Sequence, residues 1–225
     1  EPKVPATDSP ADVAAAARAD AYMNRWFLEA LTDGRYPAEL AALFGKAWPA
    51  FAAADFDLIR APLDWLGINY YTRGVMRDDP AAPVPHAAHV RQPGSLYTEL
   101  GWEVCPATLT EVLLSVAART ALPLYITENG AAFPDPDVAP PAGLDDPLRV
   151  DYLRAHLLAA REALARGVDL RGYFVWSLLD NYEWAEGFSK RFGIVHVDHA
   201  TQARTLKASA RFYRDVVAAG GELPD

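Results

Sequence analysis

The stretch LYITENGAAF, residues 124–133, joins an apolar run to a single carboxylate, Glu128, and is followed at once by the turn pair Asn129-Gly130. A short apolar run bounded by turn residues is typical of a buried strand. The segments APLDWLGINYYT and GYFVWSLL have the same character, the first with alternating apolar positions. We therefore predict strands over residues 61–72, 122–127 and 172–179, with a short additional strand over 191–198.

Segments with helical spacing of apolar residues separate these strands. Ser9-Pro10-Ala11-Asp12 is a helix start, with a hydroxyl cap, a proline in the first turn and an acid three places on. Residues 73–100 are rich in Pro, Ala, Asp and Arg, so we expect a long loop there. The spacing predicts helices over residues 9–31, 37–44, 106–119 and 205–219. A further helix is predicted between the loop 131–147 and Gly167, which is its stop.

The alternation of strands and helices predicts an α/β fold with parallel strands. About four parallel strands can be counted, the first of them a stub at residues 1–5, and no domain boundary is evident. A complete eight-stranded α/β barrel takes about 250 residues, whereas this chain has 225 and many of them lie in loops. The chain is therefore either a small open sheet or roughly the second half of a barrel. Because it opens without a methionine, we expect a processed chain or a piece of a longer one.

The composition restricts the partners and the compartment. The formal net charge of −9 repels phosphate backbones and argues against nucleic acid as a partner. Cys105 is the only cysteine, which excludes an internal disulfide framework and fits a reducing compartment. The sequence has neither a signal-peptide pattern nor a run of about 18 apolar residues. We therefore expect a cytoplasmic protein with no membrane partner.

Polar residues gather at the carboxyl ends of the three longer predicted strands. Three of the four asparagines of the chain lie there. Because the carboxyl ends of parallel strands emerge on one face, where ligands bind in α/β proteins, we predict one shared pocket. The polar residues at these ends are Asn69, Tyr70 and Tyr71 in the first, Glu128 and Asn129 in the second, and Asp180, Asn181, Glu183 and Trp184 in the third.

Glu128 allows two interpretations. Beside the turn pair Asn129-Gly130 it can be an acid that bonds the turn, and on a rigid strand end it can be a nucleophile or general base. Trp176, Glu183 and Trp184 favour the second, because aromatic faces stack on sugar rings and a carboxylate can accept two hydroxyl hydrogen bonds. Core packing is the alternative role for Trp184. An acid with tryptophans around one cleft indicates a carbohydrate site.

The motifs at these strand ends resemble the family 1 glycoside hydrolases, the β-glucosidases and their relatives. LYITENG and WSLLDNYEWAEGFSKRFGIVHVD carry the resemblance, with LGINYYT, GWEVCP and DDPLRVDYLRAHL in the same order. The resemblance covers nearly the whole chain, but only the second half of a family member. It implies a (β/α)8 TIM barrel of which residues 1–225 form a single C-terminal half, strands five to eight with their helices.

The resemblance also implies roles for individual residues. Glu128 matches the catalytic nucleophile at the end of strand seven, and Asn69 and Tyr71 match the pair beside it. Tyr182 departs from the phenylalanine that is usual in the family. The implied activity is that of a retaining β-glucosidase, which hydrolyses terminal non-reducing β-D-glucosyl residues of a β-glucoside or short β-linked oligosaccharide, with galactose or fucose left open. The further substrate-binding matches are Trp102 facing the leaving group, Trp176 as a platform, Glu183 and Trp184 at the distal hydroxyls, and Phe192 on the pocket wall.

No cofactor or metal ion is implied. His86 and His89 lie in a predicted loop, and no third ligand is spaced to join them. Asp146 and Arg149 lie three residues apart at a helix start, where such pairs are usually surface ion pairs. We interpret that pair as structural and leave it out of the site.

One catalytic group is missing from the sequence. Retaining glycosidases use two carboxyl groups about 5–5.5 Å apart, a nucleophile and an acid/base. In the family the acid/base belongs to an Asn-Glu-Pro motif after strand four, and no asparagine here is followed by Glu-Pro. A half barrel exposes strand edges and apolar faces, so we expect a complementary N-terminal half or a self-associating copy as partner. The alternative function is a non-catalytic half-barrel fragment that retains a partial sugar pocket.

Overall fold

The computed structural model describes residues 1–140 and 142–224. Short helices and strands alternate along the chain. They are β1 (Lys3–Pro5), α1 (Pro10–Asp20), a π-helical turn (Ala21–Arg25), α2 (Trp26–Asp33), α3 (Ala38–Phe44), a 3-10 turn (Gly45–Ala47), α4 (Ala53–Ile59), β2 (Leu66–Asn69), β3 (Gly74–Asp78), β4 (Ala87–His89), α5 (Pro106–Arg119), β5 (Leu124–Asn129), α6 (Pro147–Ala165), β6 (Leu170–Val175), a second 3-10 turn (Trp184–Glu186), β7 (Val195–Val197), β8 (Arg204–Leu206) and α7 (Ala208–Ala218).

The chain divides into two units, and α5 contributes residues to both. Within the described ranges, none of the helices combines the length and the apolar character needed to cross a bilayer. Unit 1 comprises Glu1–Trp65, Thr72–Ser95 and Ser115–Leu122, and unit 2 comprises Leu66–Tyr71, Leu96–Leu114 and Pro123–Asp225.

The first helix of unit 1 begins where the sequence predicts. The Ser9 hydroxyl accepts a hydrogen bond from the Asp12 N–H at 3.2 Å, and Pro10 occupies the first turn. α1, the π-helical turn and α2 follow directly on one another, so the helix predicted over residues 9–31 is present with a π-helical turn inside it. Gly34 follows α2 in the left-handed conformation, with φ of +67°, a common helix stop.

The small sheet of unit 1 corrects two expectations. The stub at residues 1–5 does contain a strand, but β1 pairs with β3 instead of joining the other parallel strands. The expected loop over residues 73–100 contains β3 and β4, which pair antiparallel. β3 and β4 have only five and three residues in a segment rich in Pro and Asp, so the spacing of apolar residues does not reveal them. The helix α4, with seven residues, is also too short for its spacing to predict it.

The parallel sheet of unit 2 has β5 in the middle and β2 and β6 at its edges. Within the described residues it therefore has three strands rather than the expected four, and the sheets remain partial instead of closing into a barrel. Ile126 of β5 is fully buried and pairs with Tyr173 of β6. The next residue, Phe174, faces the opposite side and is 56% exposed. One face of the sheet is thus packed and the other is open.

The hydrophobic core of unit 2 involves α6, α7 and the residues around β7, and β7 pairs antiparallel with β8. The strand predicted over residues 191–198 is present as the shorter β7, and the last two predicted helices are α6 and α7. The core cluster consists of Ala131, Phe133, Tyr152, Leu153, Ile194, Val195, Ala210, Phe212 and Val216.

A buried network of charged side chains joins the loop after β5 to α6 and to the start of α7. Arg149 lies 2.5 Å from Asp146 and 3.0 Å from Asp135. Lys207 lies 2.6 Å from Asp135 and 3.0 Å from Asp180. The expectation of a surface ion pair at Asp146 and Arg149 is wrong, because these side chains are at most 2% exposed. Charges at such depth need partners, since an unpaired ion in the interior is strongly destabilising.

Candidate active site

Glu128 lies near the carboxyl end of β5, the middle strand of the parallel sheet. The strand continues through Asn129, so its predicted end at residue 127 is two residues early. Glu128 pairs in register with Asn69 of β2, and Asn129 pairs with Val175 of β6. Neighbouring strands on both sides therefore fix the backbone here, which suits a side chain that must keep a constant direction.

Tyr71 is the direct partner of Glu128. Its hydroxyl donates a hydrogen bond of 2.6 Å to Oε2 of Glu128. Burial raises the pKa of Tyr71, and the hydrogen bond to Glu128 and the negative charge of that carboxylate raise it further. The phenol therefore keeps its proton at neutral pH and stabilises the Glu128 carboxylate by a charge-assisted hydrogen bond.

Two further aromatic rings lie against Tyr71, and we call Tyr71, Trp102 and Phe192 the ring cluster. The centroid of the Tyr71 ring lies 5.3 Å from that of Trp102 and 6.1 Å from that of Phe192, and the last two are 6.1 Å apart. Such distances are ordinary for interacting aromatic pairs. The main-chain N–H of Trp102 donates to the Thr98 hydroxyl at 3.2 Å, which closes the turn that carries the indole.

Glu183 lies within electrostatic reach of Glu128. Burial raises the pKa of Glu183, and the negative charges of Glu128 and Glu186 raise it further. The charge of Glu183 also contributes to the raised pKa of Tyr71. Glu183 is therefore close enough to Glu128 and Tyr71 for its charge to act on both. The Glu183 N–H donates to the Gly187 carbonyl at 2.7 Å, which fixes the turn around it.

Trp176 follows β6, and its main chain contacts Asn129 and Gly130, the two residues after Glu128. Its N–H donates to the main-chain oxygen of Asn129 at 2.9 Å. A Cβ atom on Gly130 would lie 1.8 Å from the Trp176 carbonyl oxygen, so a glycine is needed for this close approach. The Trp176–Ser177 peptide bond is cis. The structure thus places Trp176 beside the strand end that carries Glu128.

Asn69 and Trp184 are less enclosed than the other predicted site residues. Asn69 is exposed, and its Oδ1 accepts a hydrogen bond of 2.7 Å from the Thr127 hydroxyl, next to Glu128. Trp184 is 81% exposed and does not join the ring cluster. Within the described residues, Trp184 therefore does not pack in a core. The structure therefore pairs the main chain of Asn69 with that of Glu128, whereas Trp184 lies in solvent.

Two polar residues lie behind Glu128: Asn129, which the sequence places at the same strand end, and Tyr152, which the sequence does not predict as part of the site. Asn129 is fully buried, and its amide donates to the Tyr70 carbonyl at 2.7 Å and to the Tyr152 hydroxyl at 3.1 Å. Tyr152, in α6, donates in turn to the Tyr71 carbonyl at 3.1 Å. The helical spacing of α6 indicates which of its residues are buried, but not which strand carbonyl a buried tyrosine reaches.

The described residues offer no clear metal site. Among residues 1–140 and 142–224, no group of three or more His, Cys, Asp or Glu side chains is arranged to hold a metal ion. Nδ1 of His86 lies 2.8 Å from the Ala82 carbonyl oxygen, and Nδ1 of His89 lies 3.8 Å from a carboxylate oxygen of Glu1.

The site combines a fixed carboxylate, a neutral phenol that donates to it, a second carboxylate and aromatic faces. A carboxylate held in this way can act as a nucleophile toward an electrophilic carbon. The second carboxylate and the aromatic rings suit a ligand with several hydroxyl groups and apolar ring faces, which is the chemistry of a sugar.

Comparison with known proteins agrees with this chemistry. The model of glycosyl hydrolase family 1 matches residues 1–222. The chain belongs to glycosyl hydrolase family 1. The family resemblance inferred from the LYITENG stretch and from the residues after β6 is thereby confirmed.

Curated relatives of this family 1 chain are named as β-glucosidases. The chain is 40% identical over 214 residues to the Beta-glucosidase of Agrobacterium sp. (strain ATCC 21400), a match that covers 93% of this chain and 46% of the relative. It is 41% identical over 224 residues to Beta-glucosidase A of Thermotoga maritima, with 96% of this chain and 48% of the relative covered. The chain thus spans about half the length of the curated relatives it matches.

The fold leads to the same family. The solved family 1 β-glucosidase from Thermotoga maritima matches with a TM-score of 0.92 and 38% identity, over 99% of this chain and 50% of that one. That enzyme has also been solved in complex with isofagomine lactam and with glucoimidazole. The family 1 neighbours are (β/α)8 barrels, and this chain corresponds to about half of one.

Proposed function

We propose that this chain is the C-terminal half of a retaining β-glucosidase, with Glu128 as the nucleophile and the acid/base supplied by a complementary N-terminal half. In this proposal β2, β5 and β6 are strands six, seven and eight of the barrel, and residues 1–225 belong to one half-barrel domain. The segment expected as strand five is β1, which pairs with β3 instead. The reaction is hydrolysis of terminal non-reducing β-D-glucosyl residues.

The hydrogen bond from Tyr71 to Glu128 is the observation that carries the proposal. A carboxylate that attacks carbon must be an anion and must point in a fixed direction. The Tyr71 hydroxyl donates to the Glu128 carboxylate at 2.6 Å, and β5 fixes the direction of the side chain. In the first step Glu128 bonds to the anomeric carbon while the leaving oxygen takes a proton from the acid/base. In the second step water, deprotonated by that same group, takes the sugar and frees Glu128.

The other predicted site residues are proposed to bind the substrate. Trp176 forms the platform under the sugar ring, and Glu183 and Trp184 contact its distal hydroxyls. Asn69 lies beside the nucleophile and bonds to Thr127 at 2.7 Å. In the ring cluster, Trp102 faces the leaving group and Phe192 forms a wall. Aromatic faces against sugar rings and carboxylates on hydroxyls are the contacts that such a ligand uses.

The names of the relatives support a β-glucoside or a short β-linked oligosaccharide as the substrate. The two relatives described above are named β-glucosidases, and the Thermotoga maritima enzyme has been solved in complex with isofagomine lactam and with glucoimidazole. At about 40% identity over half of their length, these relatives suggest the substrate class for the completed enzyme.

The acid/base is proposed to come from outside residues 1–225, because none of the asparagines precedes Glu-Pro. The open face of the parallel sheet supports a partner that covers it. Phe174 is 56% exposed and Leu178 is 65% exposed, and β2 and β6 are edge strands among the described residues. Exposed apolar side chains next to unpaired strand edges favour association with another chain or segment.

The same open face favours a second candidate, a non-catalytic fragment that self-associates and retains part of a sugar pocket. The two candidates differ in measurable ways. The enzyme gains hydrolysis of an aryl β-glucoside when an N-terminal half of a family 1 enzyme is supplied. The fragment forms an oligomer of defined mass from copies of this chain, and it gains no hydrolysis when that half is supplied.

Covalent trapping tests the nucleophile directly. The reagent 2,4-dinitrophenyl 2-deoxy-2-fluoro-β-D-glucoside has a leaving group that departs without protonation, so it can label the chain without an acid/base. We expect one label, mapped to Glu128 by peptide mass spectrometry, no label in Glu128→Gln, and normal labelling in the control Glu186→Gln. A label on another residue, or none with and without a supplied N-terminal half, would overturn the proposal.

A cytoplasmic location is part of the proposal and rests on the single cysteine, Cys105, which is a free thiol. Cell fractionation tests it. Recovery of the protein in an extracytoplasmic fraction contradicts it.

A further inference from the structure

The segment that carries Tyr71 is not held by the regular strand ladder. β2 ends at Asn69, two residues before Tyr71, and its register with β5 shifts between Ile68 and Asn69. The Tyr70 N–H still donates to the Glu128 carbonyl at 2.9 Å. Beyond that bond, the position of the phenol that contacts Glu128 depends on what holds the main chain of Tyr71.

Asn129 and Tyr152 hold that main chain from the interior of unit 2. The Asn129 amide donates to the Tyr70 carbonyl at 2.7 Å and to the Tyr152 hydroxyl at 3.1 Å. The Tyr152 hydroxyl donates its own proton to the Tyr71 carbonyl at 3.1 Å. The Tyr173 hydroxyl donates to Oδ1 of Asn129. Side-chain hydrogen bonds therefore replace ladder bonds at two consecutive carbonyls of this segment.

The ring of Tyr152 is itself tightly fixed. It is 2% exposed and belongs to the core cluster of unit 2. It stacks on His156, with centroids 3.9 Å apart and planes tilted by 26°. The Phe133 ring also lies near it in an edge-on arrangement, with centroids 6.5 Å apart. A ring packed in this way in a dense interior has little freedom to move, so its hydroxyl is a rigid anchor point.

We infer that Tyr152 is a positioning residue for the nucleophile: through the main chain of Tyr71, its hydroxyl keeps the phenol of Tyr71 directed at Glu128. Tyr152 acts through Tyr71 and does not contact Glu128. The catalytic consequence rests on the proposed function of Glu128, whereas the effect on the hydrogen bond between Tyr71 and Glu128 can be measured without any catalysis.

The test compares Tyr152→Phe with a matched control, Tyr213→Phe. The Tyr213 hydroxyl donates to the Tyr173 carbonyl of β6 at 2.7 Å, so each change removes one hydroxyl that donates to a main-chain carbonyl. The chain has 10 tyrosines, and labelling them with 13C at Cζ gives one NMR signal each. The signal that disappears in Tyr71→Phe belongs to Tyr71, and its position reports hydrogen bonding of that hydroxyl.

We expect the Tyr71 signal to shift in Tyr152→Phe in the same direction as in Glu128→Gln, and to stay in place in Tyr213→Phe. A Tyr71 signal that keeps its wild-type position in Tyr152→Phe overturns the inference. Equal shifts in Tyr152→Phe and Tyr213→Phe also overturn it, because they indicate general loosening of unit 2 rather than a directed effect.

A kinetic measurement adds the catalytic consequence. In the trapping reaction, Tyr152→Phe is expected to lower the maximal rate about fivefold, equivalent to about 1 kcal/mol, and to leave the half-saturating reagent concentration unchanged. Tyr213→Phe is expected to react at the wild-type rate. Equal rates for the two variants would count against a positioning role. If the wild-type chain is labelled neither alone nor with a supplied N-terminal half, the proposed function fails, and the NMR comparison still decides the inference about Tyr152.

Discussion

The change Lys207→Met removes a cation from the buried network of unit 2. Nζ of Lys207 lies 2.6 Å from Asp135 and 3.0 Å from Asp180, and the lysine side chain is fully buried. Methionine is an unbranched, adaptable side chain that can fill the space of the lysine stem, so the change chiefly deletes the charge. Two carboxylates then lose a shared partner inside the protein.

The size of the effect follows from the partners that remain. Removing one partner of a buried ion pair costs roughly 3–5 kcal/mol. Asp180 keeps Arg191 at 2.8 Å and two main-chain N–H donors, and Asp135 keeps Arg149 at 3.0 Å. Burial by itself would raise the pKa of Asp180, but Lys207 and Arg191 hold it below its ordinary value. The remaining partners place the expected loss near the lower end, at about 3 kcal/mol.

Thermal unfolding checks the expected loss of stability. Hydrogen exchange at β7 adds a local measure for unit 2. For a chain of this size, a loss of about 3 kcal/mol lowers the midpoint by roughly 6–12 °C. The matched control is Arg166→Met, whose exposed pairs with Glu162 at 3.4 Å and Glu111 at 3.8 Å are each expected to contribute about 0–1 kcal/mol. If Lys207→Met unfolds at the same temperature as Arg166→Met, the network does not stabilise unit 2 as argued.

Three further changes test the site and the interior. Tyr71→Phe deletes the donor to Glu128, so the trapping rate measured by mass spectrometry should fall roughly tenfold to a hundredfold, as for loss of a hydrogen bond to a charged group. Gly130→Ala places a methyl group 1.8 Å from the Trp176 carbonyl oxygen, and calorimetry should show destabilisation by roughly 1–3 kcal/mol or more. Burial lowers the pKa of His156 from 6.5 to about 4. As the pH falls from 6.5 to 4, His156 takes up a proton in the unfolded chain before it does so in the folded chain, so the free energy of unfolding should fall by about 3 kcal/mol. Urea titrations of His156→Leu should lack this pH-dependent loss.

The residues around Glu128 could be predicted because their signals are local. Glu128 ends an apolar run, Tyr71 follows another, and Glu183 stands in a motif after the third, so the hydrophobic pattern indicates the strand end that each of them occupies or follows. Parallel strands then bring these ends to one side without further information. In the structure the Tyr71 hydroxyl accordingly donates a hydrogen bond to Glu128, and Glu183 lies close enough for the charge of Glu128 to act on it.

The interior support of the site could not be predicted, because it depends on contacts between distant parts of the chain. Tyr152 reaches the Tyr71 carbonyl across 81 residues, and Lys207 reaches Asp135 across 72. In a sequence, charged residues are expected at the surface, which is why Asp146 and Arg149 suggested a surface pair. Helical spacing shows that a residue is buried, but the partner of a buried polar atom depends on the packing of whole elements.

In the proposed function, one surface accounts for both the open sheet and the missing acid/base. β2 and β6 flank β5, which carries Glu128, and Phe174 on the open face is 56% exposed. A complementary half that pairs with β2 and with β6 would cover the open face of the sheet and would also lie opposite the nucleophile. Stabilisation, however, requires burial of apolar area, whereas hydrolysis requires the two carboxyl groups to lie about 5–5.5 Å apart. A half that covers Phe174 in a shifted register would stabilise the chain and leave it inactive, so binding of a partner does not by itself establish catalysis.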